Sequence, residues 1–144
     1  LTDELARSPA PYYFMLGLAA NARARGDKAL ALDWYARAHD AARGPATRLQ
    51  WGATHVRALI DLAPGDVRAV EQAAVAVLGE LEPEPEVFEG RNLAVLQRLG
   101  ARLTDWGQAP AHAAALDRVR TQWRQLCGAL PAGAPQRDVC AATL

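Results

Sequence analysis

Little in this chain marks it for catalysis. It contains no GxSxG, no GxxxxGK(S/T), no GxGxxG and no HExxH. A nucleophile elbow, a phosphate loop, a dinucleotide loop and a zinc-protease helix therefore leave no trace in the pattern. Charge of one sign is missing as well: 16 Lys and Arg stand against 16 Asp and Glu, for a net charge of zero. A nucleic-acid binder carries a basic patch or a high pI, and a membrane-surface tail carries a block of like charge; neither is evident here. No apolar run reaches the roughly 18 residues that a bilayer-spanning helix needs. Aromatic residues make up only 6% of the chain. Runs of Val, Ile and Thr are scarce, and no alternation of period two lasts more than a few residues, which excludes a sheet from the expected fold.

What is present favours helices. About half the residues (51%) are apolar, and Ala is abundant beside Leu, Arg, Glu and Gln. These are strong helix formers, and small side chains let helices pack closely. At 144 residues the chain is one domain's length and long enough to bury a core without a metal. It opens at Leu1, with no Met and no signal-like segment, so it is expected to be an internal or C-terminal piece of a longer protein.

Six helices are expected. Ser8, with Pro9 and Pro11, caps and opens a stretch from Tyr12 to Arg25 that carries Met15, Leu18, Ala19 and Ala22 on one face. Gly26 stops it, and Asp27 caps a second helix from Lys28 to about Ala42. After Gly44-Pro45, a third runs to Leu62 with a stripe of Leu49, Gly52, Ala53, Val56, Leu59 and Ile60. Pro64-Gly65-Asp66 turns the chain into a fourth, from Val67 to about Leu81. Glu and Pro then alternate from Leu81 to Glu86, which predicts an extended connector. The fifth helix is expected from about Val87 to Trp106, with Gly90 and Gly100 as possible breaks, and the sixth from Pro110 to about Leu130. The tail, 131–144, is rich in Ala, Gly and Pro, with room for a short helical turn after Pro135.

One unit of a repeat is legible. The segment from Ala10 to Gly44 resembles a tetratricopeptide (TPR) unit. Its Gly26-Asp27 turn is followed by Ala31, Tyr35 and Ala38 at small, aromatic and small positions, and Leu18 and Ala19 precede it on the first helix. The spacing has a physical reason. Ala19 and Ala31 fall where the two helices cross, Tyr35 fills the space beyond, and Ala38 meets the next unit. A large residue at either crossing would overpack by about 1–3 kcal/mol. The expected fold is therefore all-α: antiparallel helix pairs forming a TPR-like right-handed α-superhelix. Residues 8–43 are the best repeat, 45–81 a degenerate second pair, 87–130 a third pair and 131–144 the tail. A single unit cannot bury both faces, so the other pairs must supply its neighbours. A helical bundle with a local match is the competing reading.

Candidate sites are few. His39, His55 and His112 fall on three different helices without metal-ligand spacing, so no metal or cofactor is expected. Glu80, Glu82, Glu84, Glu86 and Glu89 read as a solvated acidic connector rather than a cation loop. Trp34, Trp51, Trp106 and Trp123 are expected mostly in the core. Cys127 and Cys140 are too far apart for a CxxC pair; a bridge between them would staple the tail to the sixth helix and contribute about 3 kcal/mol, while two free thiols are the alternative. In a TPR-like superhelix the first helix of each pair lines the concave face. That places Tyr13, Leu16, Ala20, Arg23, Gln50, Thr54 and Arg57 along a candidate groove, where arginines could meet the carboxylates of a peptide. Ordinary helix surface is the alternative for each.

Trp34-Tyr35, Gly44 to Arg48, Gln50-Trp51-Gly52 and Val56 to Leu59, followed by the tail from Cys127 through Pro131 to Cys140, resemble the TPR-like C-terminal region of bacterial periplasmic thioredoxin-family proteins. The resemblance implies an exported setting and a thioredoxin-fold domain elsewhere in the parent protein. It carries over no catalytic residue, because the redox CxxC belongs to that other domain. The expected function is a non-catalytic scaffold that docks a partner protein, a peptide or its own thioredoxin-fold domain, with no nucleic acid and no membrane span. The alternative is an accessory to thiol–disulfide exchange through Cys127 and Cys140.

Overall fold

The helix boundaries follow from local chemistry. A computed structural model describes residues 11–144, and among them there are seven α-helices and no strand. They are α1 (Pro11–Ala24), α2 (Lys28–Ala41), α3 (Pro45–Leu62), α4 (Val67–Gly79), α5 (Gly90–Trp106), α6 (Ala113–Gly128) and α7 (Gln136–Thr143). The cap expected at Ser8 and Pro9 lies outside the described residues. Between α1 and α2, Gly26 adopts φ +78°, a conformation that favours glycine. Its neighbour Asp27 donates its backbone N–H to the Ala22 carbonyl (2.9 Å), and its side chain accepts from the Leu30 N–H (3.2 Å), capping α2. Asp66 caps α4 in the same way, accepting from Ala69 N–H at 3.2 Å.

Three expectations about the second half need correction. The fifth helix does not begin at Val87. Pro85–Phe88 form a 3₁₀ turn, Glu89 is extended, and α5 starts at Gly90, which sits at φ +53°. The break lets Phe88 turn inward and become fully buried. The sixth helix does not begin at Pro110 either: Pro110–His112 form a second 3₁₀ turn and α6 starts at Ala113. The tail holds more than a turn. It forms the eight-residue α7, and Cys140 within it has no exposed surface.

Consecutive helices from α1 to α4 pack directly on one another, as short connections require of antiparallel neighbours. Beyond α4 the order changes. α3 packs on α5 and α4 on α6, so the connector carries the chain across to form a second layer. α5 and α6 approach one another less closely than the earlier pairs, and α7 packs against both of them and against the Pro85–Phe88 turn. The filling differs accordingly. Ala19, Ala22, Ala31 and Ala38 are completely buried in the first pair. Phe88, Leu96, Leu99, Leu103, Val119 and Trp123 are buried in the second half, where Phe88 meets Trp123 edge to face at 5.9 Å. Trp34 and Trp51, expected in the core, are only half-buried; Trp106 and Trp123 are buried. The turn at Pro64-Gly65-Asp66 comes later than the first repeat's spacing would place it because α3 is 18 residues long, against 14 for α1 and α2.

Candidate functional site

α1 and α3 run in the same direction. Tyr12 and Trp51 meet near their N-terminal ends, and Arg23 and Asp61 meet near their C-terminal ends. The buried stripe of α3, with Ala53, Val56 and Leu59 inside, leaves Gln50, Thr54, Arg57 and Asp61 at spacings of four, three and four along another face. α5 joins this face from the second layer. Its Trp106 donates Nε1–H to the Pro64 carbonyl at 2.9 Å, which fixes the end of α5 against the α3–α4 turn. Arg102, one turn earlier, consequently reaches Asp61.

Three of the seven groove candidates come together here. Arg23, Thr54 and Arg57 line an open hollow of about 180 Å³ with Tyr35, Ala58, Asp61 and Arg102. Arg23 donates to Asp61 Oδ2 at 3.4 Å, and Arg102 donates to the other carboxylate oxygen. Arg57 donates to the Thr54 hydroxyl at 3.2 Å, while that hydroxyl donates to the Gln50 carbonyl at 2.9 Å. The electrostatics are lopsided. The pKa of Arg23 is raised, first by the neighbouring Tyr35 and then by Asp61, against the opposing effect of burial. That of Arg57 is lowered, first by burial and then by repulsion from Arg98 and Arg102, against the attraction of Asp61. Two guanidiniums thus share one carboxylate, and a third, Arg57, stands beside them in the same hollow.

The remaining candidates lie along the same face but outside the hollow. Tyr13 is 63% exposed, and its ring meets Trp51 edge-on at 6.0 Å. Leu16 is half-buried, and Ala20 and Gln50 are exposed. Tyr35, Asp61 and Arg102 were missed as site residues. The spacing Gln50, Thr54, Arg57, Asp61 could have revealed Asp61, since it continues the stripe. Nothing local could have revealed Arg102, which reaches the site from a different layer.

A second polar cluster bolts α2, α3 and α4 together. Arg48 of α3 grips Glu80 with two nitrogens, at 2.9 and 2.7 Å. Its third nitrogen donates to the carbonyls of His39 (3.2 Å) and Ala42 (3.1 Å), which end α2. His39 lies within 3.2 Å of the same carboxylate and is buried. Glu80 is therefore not part of a merely solvated connector, and His39 is not a surface group. The pKa of Glu80 is lowered, first by its hydrogen bonds from Arg48 and then by His39. His112 stacks on Trp106 at 4.4 Å and donates Nδ1–H to the Trp106 carbonyl at 2.8 Å. Among the described residues, no three His, Cys, Asp or Glu side chains converge as a metal site would require.

Cys127 and Cys140 are joined by a disulfide with 5.6 Å between their Cα atoms, and both residues are buried. Trp123 Nε1–H donates to the Cys140 carbonyl at 2.7 Å beside the bridge. An open hollow lined by Arg124, Gly128, Arg137 and Asp138 reaches Cys127 from outside. No helix among the described residues is long and apolar enough to cross a membrane. No protein-family model, curated protein or solved structure matches the chain.

Proposed function

We propose that this chain is a non-catalytic interaction module: a TPR-like helical domain of an exported, thioredoxin-like protein that docks a polypeptide on the face formed by α1, α3 and α5. The observation that carries the proposal is the hollow in which Arg23 and Arg102 grip one carboxylate, Asp61, while Arg57 lines the same hollow without an acidic partner in contact among the described residues. Surplus positive charge at an open, partly desolvated concavity attracts an anionic group. Guanidiniums match the planar geometry of a carboxylate. The TPR-like reading is supported by the first two pairs, where alanines at the crossings let consecutive helices pack closely. The exported setting is supported by the bridged cysteines, since such bonds persist in oxidising compartments.

Screening a random-peptide display library against the folded protein tests this. Selection of peptides whose binding is lost in Arg57→Glu supports the module, and failure to select any peptide overturns it. The alternative, thiol–disulfide exchange, is favoured by the hollow at Cys127, where Arg124 and Arg137 would stabilise an approaching thiolate. Burial of both cysteines opposes it. Reduction by dithiothreitol as fast in the native protein as in denaturant would favour exchange, and strong native protection would favour the staple.

A further inference from the structure

The arginine hollow occupies one end of its face, and the other end is aromatic. Tyr12 and Tyr13 sit 5.9 and 6.0 Å from Trp51, with Tyr13 largely exposed. Tyr13 and Arg23 lie ten positions apart on α1. At 1.5 Å per residue the two ends are therefore separated by about 15 Å. Between them the face is small and uncharged, with Gly17 and Ala20 on α1 exposed and Thr54 on α3 half-buried. An extended chain advances about 3.3 Å per residue, so about five residues span the interval.

The charge is local. Arg48 is paired with Glu80, Arg118 with Glu71 and Arg37 with Asp33. The hollow itself holds three guanidiniums against Asp61, and Arg98 adds to the repulsion felt by Arg57. Two further negative charges would balance it. At the aromatic end, ring edges and faces suit an apolar or aromatic side chain.

We propose that this face binds an extended acidic peptide segment of a partner protein. The segment seats an aromatic side chain against Tyr13 and Trp51, and adjacent carboxylates about five residues away in the hollow of Arg23, Arg57 and Arg102. The proposal rests on the interaction-module reading and adds the chemistry and spacing of the partner. Asp61 occupies the hollow as a built-in competitor, holding Arg23 and Arg102 until a ligand carboxylate displaces it.

Fluorescence anisotropy with a labelled, amidated peptide containing one Trp, four Ala and two Glu in that order tests this. Replacing both Glu by Gln, or Arg57 or Arg102 by Ala in the protein, weakens binding about tenfold or more. Tyr13→Ala weakens it by a smaller factor, about threefold. Asp61→Asn tightens binding and steepens its salt dependence, a gain that damage to the fold does not produce. Circular dichroism melting of each variant checks folding. Equal binding of the Glu and Gln peptides, or weakened binding in Asp61→Asn, overturns the proposal. If library peptides bind with dependence on Arg57 but not on Tyr13, this inference fails and the module reading stands; if no peptide binds at all, both fail. A concentration-dependent oligomer abolished by replacing Glu82, Glu84 and Glu86 with Gln would assign the hollow to a second copy's connector, and would overturn the separate partner.

Discussion

Between Pro11 and Ala42 the completely buried side chains are Ala19, Ala22, Ala31 and Ala38. Between Phe88 and Cys140 they include Phe88, Leu96, Leu99, Leu103 and Val119, with Trp123 buried beside them. The first region is held by backbones brought close together. The second is held by large side chains filling the space between helices that stay apart, with α7 as a wedge and a disulfide behind it. The two solutions respond differently to mutation. Close approach leaves no room for growth, and filled space tolerates no loss. The arginine hollow lies where the two meet, because Arg23 and Arg57 come from the first four helices and Arg102 from α5.

Removing a large side chain from the filled region should have the greatest effect. Trp123→Ala is expected to lose about 3–5 kcal/mol, because it leaves a cavity beside Phe88 and orphans the Cys140 carbonyl. Trp34→Ala, at a half-buried position stacked with Arg37, should lose far less. Urea unfolding followed by circular dichroism gives both numbers, and equal losses would break the comparison.

The staple comes next. Replacing Cys127 and Cys140 by Ala is expected to lower stability by about 3 kcal/mol through the loop-entropy difference, with most helical content kept. Hydrogen exchange should speed up in α7 and in the flanking parts of α5 and α6, but not in α1 and α2. Uniform acceleration would show that the two regions unfold as one unit and that the distinction between them is only one of composition.

Growth of a side chain in the close-packed region should cost somewhat less. Ala31→Leu forces α1 and α2 apart and is expected to lose about 1–3 kcal/mol. Gly52 offers a sharper version. A methyl there would meet Val77 Cγ2 at 2.5 Å and the His39 ring at about 3.0 Å, so Gly52→Ala should disturb the joint of α2, α3 and α4. Full retention of stability in both variants would show that the backbones have slack.

How much of this was legible depends on how far apart in sequence the causes lie. The alanines at the first crossing and the caps Asp27 and Asp66 were readable because each acts within a few residues of itself. Gly90 was readable as a weak point, but not the break itself. Phe88 turns inward only because α6 offers Trp123 on the far side of a loop. The third pair lacked a repeat signature for a physical reason: α7 packs against both of its helices, so their facing residues answer to α7 as well as to each other. In the site, Arg23, Thr54 and Arg57 were readable from the expected TPR-like face of α1 and α3, while Asp61 was missed although it continues the same spacing. Arg102 depends on the crossing of the connector and on the Trp106 anchor, which no local pattern encodes.

The smallest expected effects concern pH, and they separate the bolt of the first region from the tie between layers. The carboxyl of Glu80 is held below its ordinary value of 4.5, chiefly by Arg48 and secondarily by His39. That of Glu71 is also lowered, by Arg118, which links α4 to α6. Lowered carboxyl values add stability that is present above pH 4.5 and is lost as pH falls through the folded-state values. The pKa of His55 is lowered from 6.5, first by burial and then by His39, with Asp40 opposing. Its contribution is likewise present above pH 6.5 and declines as pH falls below it, because the unfolded chain binds the proton more readily. The melting temperature should therefore fall in two windows, below pH 6.5 and again below 4.5. Glu80→Gln should flatten the lower window and lose about 1 kcal/mol or less at neutral pH, the range for partly exposed pairs. Glu71→Gln should do less, since the Arg118 side chain is 62% exposed. A larger loss at Glu71 than at Glu80 would mean that the tie between layers, rather than the bolt at the end of α2, limits stability in acid.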